Sequence, residues 1–226
     1  MGETYRHIAI MGPPGGGKGT QAAILSEKLG IRAFSAGELL REEVARGTQE
    51  GREIEAIITK GNLVPSRYIV NRMRERIVDP QNAKGYILDG FPRTLDQRDE
   101  FEAMQKDDPH IVANRLELDL VLLLQVPDDY VIDRIIGRYA CAKCGALYHE
   151  KFKQPKTFGV CDACGHKEFT RRADDNYETV VSRLRNYRSV TAPVIPYYEE
   201  KGLLKCIDGT GPIDVVAEKI RKVVGY

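Results

Sequence analysis

Apolar residues in this chain fall into short continuous runs, separated by stretches in which they recur every three or four positions. The runs cover residues 8–11, 31–34, 86–88, 120–126 and 203–207. Runs of this length, bounded by glycine and polar residues, predict strands buried on both faces. Helical spacing occupies 21–29, 37–46, 53–60, 66–78, 96–106, 128–138 and 177–200. Strands alternating with helices predict parallel βαβ units, hence an α/β core with a five-stranded parallel sheet covered on both faces. Ligands then sit beyond the carboxyl ends of the strands. Two segments break the alternation. Residues 35–78 hold three helical stretches with no strand between them, which predicts a helical insertion. Residues 139–172 lose the helical pattern to glycine, cysteine and aromatic residues.

The first strand runs into Gly12-Pro13-Pro14-Gly15-Gly16-Gly17-Lys18-Gly19-Thr20, and the first helix then ends at Gly30. Strand, glycine-rich turn and helix is the setting in which backbone N–H groups and a helix N-terminus cradle phosphate, with Lys18 adding a mobile charge. The pattern predicts a nucleoside triphosphate site; a glycine-rich turn without a ligand is the plain alternative. Gly19 separates Lys18 from Thr20, whereas the general phosphate-loop pattern places the hydroxyl directly after the lysine.

Hydrophobic content of 42% and charged content of 30% are ordinary for a globular chain of 226 residues. The formal net charge of +1 gives no basic surface for nucleic acid, so anion binding must come from local clusters. The longest apolar run is too short to cross a bilayer. The first residues lack the apolar stretch of a secretory signal, and Gly2 begins no lipidation motif because position 6 is Arg. These features predict a cytoplasmic protein with no membrane partner.

Four of the five cysteines lie in the second insertion, as Cys141-Ala142-Lys143-Cys144 and Cys161-Asp162-Ala163-Cys164, with residues 145–160 between the pairs. The spacing fits a four-thiolate zinc site, each pair turning at the glycine that follows it, Gly145 and Gly165. Four thiolates leave no open position for water, so such a metal is structural. Two disulfides or four free thiols are the alternatives. His149 and His166 are surplus to that set, and Cys206, in the last strand pattern, is expected to be buried.

With these motifs in hand, nearly the whole chain resembles adenylate kinase, in its long form with a zinc-binding lid. The loop ending Gly17-Lys18-Gly19-Thr20 resembles that family's nucleotide loop, Gly19 included. Phe34-Ser35-Ala36-Gly37-Glu38-Leu39-Leu40-Arg41 resembles the start of its monophosphate-binding part, and Asp89-Gly90-Phe91-Pro92-Arg93-Thr94 with Gln97 its acceptor signature. Asp133-Arg134-Ile135-Ile136-Gly137-Arg138 resembles the entry to the lid, and Arg172-Ala173-Asp174-Asp175 with Arg183 the exit.

The resemblance implies a P-loop core of residues 1–34, 79–138 and 174–226, an AMP-binding part of 35–78 and a zinc-ribbon-like lid of 139–173. It also implies magnesium-dependent phosphoryl transfer from ATP to AMP, giving two ADP, in a monomer. On that reading Gly15, Gly16, Gly17, Lys18, Gly19, Thr20, Arg134, Arg138, Leu147, Tyr148 and Gly211 serve ATP. Ala36, Arg41, Asn62, Leu63, Val64, Gly90, Phe91, Pro92, Arg93, Gln97, Arg172 and Arg183 serve AMP. Lys18, Arg93, Arg134, Arg138, Arg172 and Arg183, with the acidic pair Asp174 and Asp175, surround the transferring group. Cys141, Cys144, Cys161 and Cys164 hold zinc, and Asp89 holds magnesium through water. Fixed cations suit this chemistry because the transfer gathers several negative charges in one place. Arg134 and Arg138, four residues apart, are expected on one helix face. Two positions depart from the pattern: Ala36 stands where threonine is common, and Gly211 where lysine is frequent. Three other readings stand beside it: another nucleoside-monophosphate kinase, with UMP or CMP as acceptor or GTP as donor, an ATP-switched zinc-ribbon binding module, and a small-metabolite kinase on the same core.

Overall fold

The computed structural model describes residues 5–114 and 116–226. Gly2 and the start of the N-terminal segment, read above for targeting signals, lie outside the described residues. Five strands, β1 (His7–Met11), β2 (Arg32–Ser35), β3 (Tyr86–Asp89), β4 (Leu120–Gln125) and β8 (Leu204–Asp208), form one parallel sheet in the order β2-β3-β1-β4-β8. The pleat sends alternate residues to opposite faces. Ala9, Met11, Leu88, Val121 and Leu123 pack with Phe101, Ile111, Val194 and Tyr198 on one side. On the other, Ile8, Ile10, Ile87, Leu122 and Leu124 pack against α1 (Lys18–Leu29) and α10 (Ile213–Val224), through Ala22, Leu25, Val216 and Ile220. The continuous apolar runs are explained by this double burial.

The first insertion holds α2 (Ala36–Ala45), α3 (Gln49–Ile58), a 3-10 turn at Ser66–Tyr68 and α4 (Val70–Val78). The Thr48 hydroxyl accepts the Gly51 N–H and so starts α3. The buried carboxylate of Glu43 joins the helices, bonding Thr48 Oγ1 at 2.9 Å, Arg46 at 2.9 Å and Arg72 at 3.2 Å. The chain then continues through β3, α5 (Leu95–Asp107), α6 (Pro109–Asn114), β4 and α7 (Asp128–Ile136). The short α6 was not visible in the apolar spacing.

Two expectations are corrected here. Helix α7 stops at Ile136, so Arg138 does not share a helix face with Arg134. It opens β5 (Arg138–Cys141) instead. A Cβ on Gly137 would lie 2.5 Å from the His149 ring, so the helix exit depends on a close approach that only glycine permits. The stretch 177–200 is also broken. Helix α8 (Tyr177–Asn186) passes into a π turn at Tyr187–Thr191, a 3-10 turn at Ala192–Val194 and α9 (Ile195–Glu200). Pro193 and Pro196 each lack an N–H and crowd the carbonyl one turn back.

The second insertion is a small antiparallel sheet in the order β6-β5-β7, with β6 (Leu147–His149) and β7 (Phe169–Thr170) flanking β5. Its core is Tyr148 with Cys141 and Cys161, packed against Tyr139 and Phe169. Among the described residues no helix is long and apolar enough to cross a membrane.

Candidate active site

A cavity of about 690 Å³ opens at the carboxyl ends of β1, β2 and β3 and is bounded by both insertions. Its floor is the phosphate loop. Gly17, at φ 91°, caps α1 in a left-handed conformation that suits glycine, and Gly15 adopts φ 70°. The Lys18 ammonium donates to Gly12 O at 2.9 Å and Pro13 O at 2.7 Å. Burial holds it down to about pKa 8, against a smaller opposing pull from Asp89. Gly19 answers the irregularity in the motif. A Cβ there would lie 3.2 Å from Asp89 Oδ2, so a larger residue would press on the acidic group at the end of β3.

The sides of the cavity are cationic. Arg41, Arg93, Arg134, Arg138, Arg172 and Arg183 all line it, facing Glu38, Asp89 and Asp174. Burial pushes Arg183 down to about pKa 9 and Arg172 to about 10, with Arg138 the strongest repelling neighbour of each. Guanidinium stays charged in proteins. Dehydration and mutual repulsion among these arginines therefore favour an anion between them. The acidic pair keeps the arginines in place: Asp175 takes Arg138 in a two-pronged bond of 2.6 and 2.8 Å and lies 3.6 Å from Arg183, which also pairs with Asp174. Arg93 Nε donates to Gly90 O at 2.6 Å.

Most of the residues singled out above meet at this cavity: Gly15 to Thr20, Arg41, Asn62, Leu63, Asp89, Gly90, Pro92, Arg93, Arg134, Arg138, Leu147, Tyr148, Arg172, Asp174, Arg183 and Gly211. Ala36, Val64 and Phe91 are buried behind it. Gln97 is buried with both ends of its amide engaged, accepting the Arg93 N–H and donating to Val64 O. Tyr148 touches the cavity, but it is only 3% exposed. Ser35, Glu38, Tyr130, Phe152, Lys153 and Asn186 line the cavity without having been singled out. Phe152 carried a signal, being a large apolar residue in an otherwise polar stretch.

The four cysteines of the second insertion converge. All their sulfurs lie within 4.8 Å of one another, with Cys141 and Cys164 3.6 Å apart and Cys144 and Cys161 3.5 Å apart. Sulfurs held about 2.3 Å from one tetrahedral ion lie about 3.8 Å apart, so the set fits zinc. The two turns are equivalent: the Gly145 N–H bonds Cys141 O and the Gly165 N–H bonds Cys161 O, with φ of 72° and 71°. The His149 ring is a buried brace, accepting the Lys151 and Phe152 N–H groups at Nδ1 and lying 3.0 Å from Asp133 O at Nε2. Cys206, expected to be buried, is exposed because β8 is an edge strand.

The adenylate kinase family model matches residues 10–203. The chain belongs to the adenylate kinase family. It is 48% identical over 217 residues to the adenylate kinase of Rhizobium rhizogenes, covering 96% of this chain and 98% of the relative. The adenylate kinase of Paramagnetospirillum magneticum is 44% identical over 218 residues with the same coverage. That of Zymomonas mobilis is 42% identical over 219 residues, covering 96% of this chain and 95% of the relative. The kinase is thus an ATP:AMP phosphotransferase, a class that uses magnesium with ATP, and its second insertion carries a cysteine set that could bind zinc.

Proposed function

We propose that ATP lies over the phosphate loop and under the lid, that AMP lies against the first insertion, and that the phosphoryl group passes directly between them. The convergence of Lys18 with six arginines on one cavity carries this reading. Lys18 and the loop N–H groups of Gly15 to Thr20 hold the donor's terminal phosphates. Arg41 and Arg93 hold the acceptor phosphate as planar forks. Arg134, Arg138, Arg172 and Arg183 surround the transferring group, and Asp174 and Asp175 orient them. The acceptor is already an anion, so catalysis rests on positioning and fixed charge and needs no general base.

Leu147, Tyr148 and the Gly211 backbone border the donor base. Asn62, Leu63 and Val64 border the acceptor base, with Ala36, Gly90, Phe91 and Pro92 as its supporting wall. Gln97 reaches that base by exchanging the Val64 carbonyl for it. Asp89 holds the magnesium that accompanies ATP, through water. Zinc on Cys141, Cys144, Cys161 and Cys164 fixes the lid as one piece and takes no part in the chemistry. The three-part division into 1–34, 79–138 and 174–226, 35–78, and 139–173 gives the closing parts that exclude water. The kinase works as a cytoplasmic monomer without nucleic-acid or membrane partners.

The test is ADP formation from ATP and magnesium with AMP, GMP, CMP, UMP or no acceptor. Turnover with AMP alone is expected. Turnover with another monophosphate would overturn the acceptor assignment, and turnover with none would overturn the site.

A further inference from the structure

Tyr148 belongs to two places at once. It lines the nucleotide cavity, while its buried hydroxyl accepts the Asp162 N–H at 2.7 Å and donates to Cys161 Sγ at 3.4 Å. Around a bound ion the Cys161 sulfur is a thiolate, an acceptor only, so the hydroxyl proton has one place to go. The ring is fixed by its neighbours. It stacks on Tyr139 with centroids 5.8 Å apart and meets Phe169 edge-on at 5.5 Å. Tyr139 is its register partner on β5, and the residue before Tyr139 is Arg138, which carries the bond to Asp175.

From this geometry we infer that Tyr148 is a positioning residue whose hydroxyl couples occupancy of the four-cysteine site to binding of the donor nucleotide. The inference rests on the donor reading given above. A hydrogen bond to a metal-bound thiolate holds the ligand in the orientation the ion requires, and outer-shell bonds of this kind commonly change metal affinity by about 10–100-fold. The same residue lines the donor side of the cavity, so a nucleotide that fixes Tyr148 in place also fixes the thiolate its hydroxyl contacts. The coupling is reciprocal: whatever factor the nucleotide adds to zinc binding, zinc adds to nucleotide binding.

The experiment follows transfer of zinc from the full-length zinc-loaded kinase to a zinc-selective chromogenic chelator. It is run with and without a magnesium-bound, non-hydrolysable ATP analogue, in the native chain, Tyr148→Phe and Phe169→Leu. Tyr148→Phe keeps the ring and removes only the hydroxyl; it should release zinc about tenfold faster. The analogue should slow release several-fold in the native chain and in Phe169→Leu, which loosens the ring packing but keeps the hydroxyl, and should have no effect in Tyr148→Phe. A native release rate in Tyr148→Phe, or equal slowing by the analogue in all three, overturns the inference. ADP formation separates the two readings. A native chain that turns over AMP while its zinc release ignores the analogue defeats the coupling alone, whereas one that neither binds the analogue nor turns over defeats both.

Discussion

Lys18 offers a quantitative test of how the cavity is poised. With only protein groups around it, burial holds this ammonium at about pKa 8 rather than the ordinary 10.5, because two carbonyl acceptors and one nearby carboxylate do not replace its water. Donor phosphates against Nζ favour the charged form and raise the pKa toward the ordinary value. The free pKa is thus the lower and the bound pKa the higher. The affinity gained is fully present below about pH 8 and is lost as pH rises from there toward the bound value. At about 1.4 kcal/mol per pH unit, the interval corresponds to about 3 kcal/mol, or a few hundredfold in Kd. Titration calorimetry with a magnesium-bound, non-hydrolysable ATP analogue, from about pH 7 to about pH 10 in buffers of different ionisation enthalpy, measures both affinity and proton uptake. Proton uptake should appear near pH 8, with Kd weakening by close to tenfold per unit above it. A Kd constant across that range, or the same slope in Lys18→Met, would refute the argument.

Other expectations are as direct. Gly19→Ala should raise helix stability by about 0.5–1 kcal/mol while lowering turnover about tenfold, because its Cβ presses on Asp89; unchanged kcat would show that the contact does not matter. Glu43→Ala should cost about 3 kcal/mol in thermal or urea unfolding, since it leaves Arg46, Arg72 and Thr48 without their buried partner. A loss under about 1 kcal/mol would place that network among ordinary surface pairs. Removing zinc, by chelation or by Cys144→Ser, should lower the melting temperature while leaving some activity, because the four cysteines that would hold it lie in the second insertion, apart from the phosphate-binding residues. Unchanged melting after proven zinc removal would defeat its structural role.

The sheet was legible because double burial writes continuous apolar runs, and those runs locate all five parallel strands within a residue or two. The phosphate loop and the cysteine pairs were legible because their chemistry depends on local spacing. What escaped depended on contacts distant in sequence. Arg138 leaves the helix because His149, eleven residues on, closes over Gly137, and helical spacing cannot register that. Cys206 lies on an edge strand, and strand order is not written in the strand's own pattern. Pro193 and Pro196 do mark the broken helix after Asn186, and their missing N–H groups override the apolar spacing around them. Ser35 and Glu38 sat inside a motif already noted, but side-chain direction within a motif is set by the helix they begin.

The strand order has a consequence for synthesis on the ribosome. Strand β1 carries the phosphate loop, yet its two neighbours are β3 at Tyr86–Asp89 and β4 at Leu120–Gln125. The first strand made must therefore wait for more than a hundred residues of later chain, about 5–20 s at ordinary elongation rates, before both its edges are covered. Until then its four apolar residues lack at least one of their two partner strands. The cysteine-bearing lid is made of neighbours close in sequence and needs no such wait. Nascent chains arrested before β3 should thus present an exposed, chaperone-binding first strand, and those arrested between β3 and β4 a strand with one open edge. The capacity to hold nucleotide should emerge late and abruptly, whereas the metal site can assemble as soon as its own residues leave the exit tunnel.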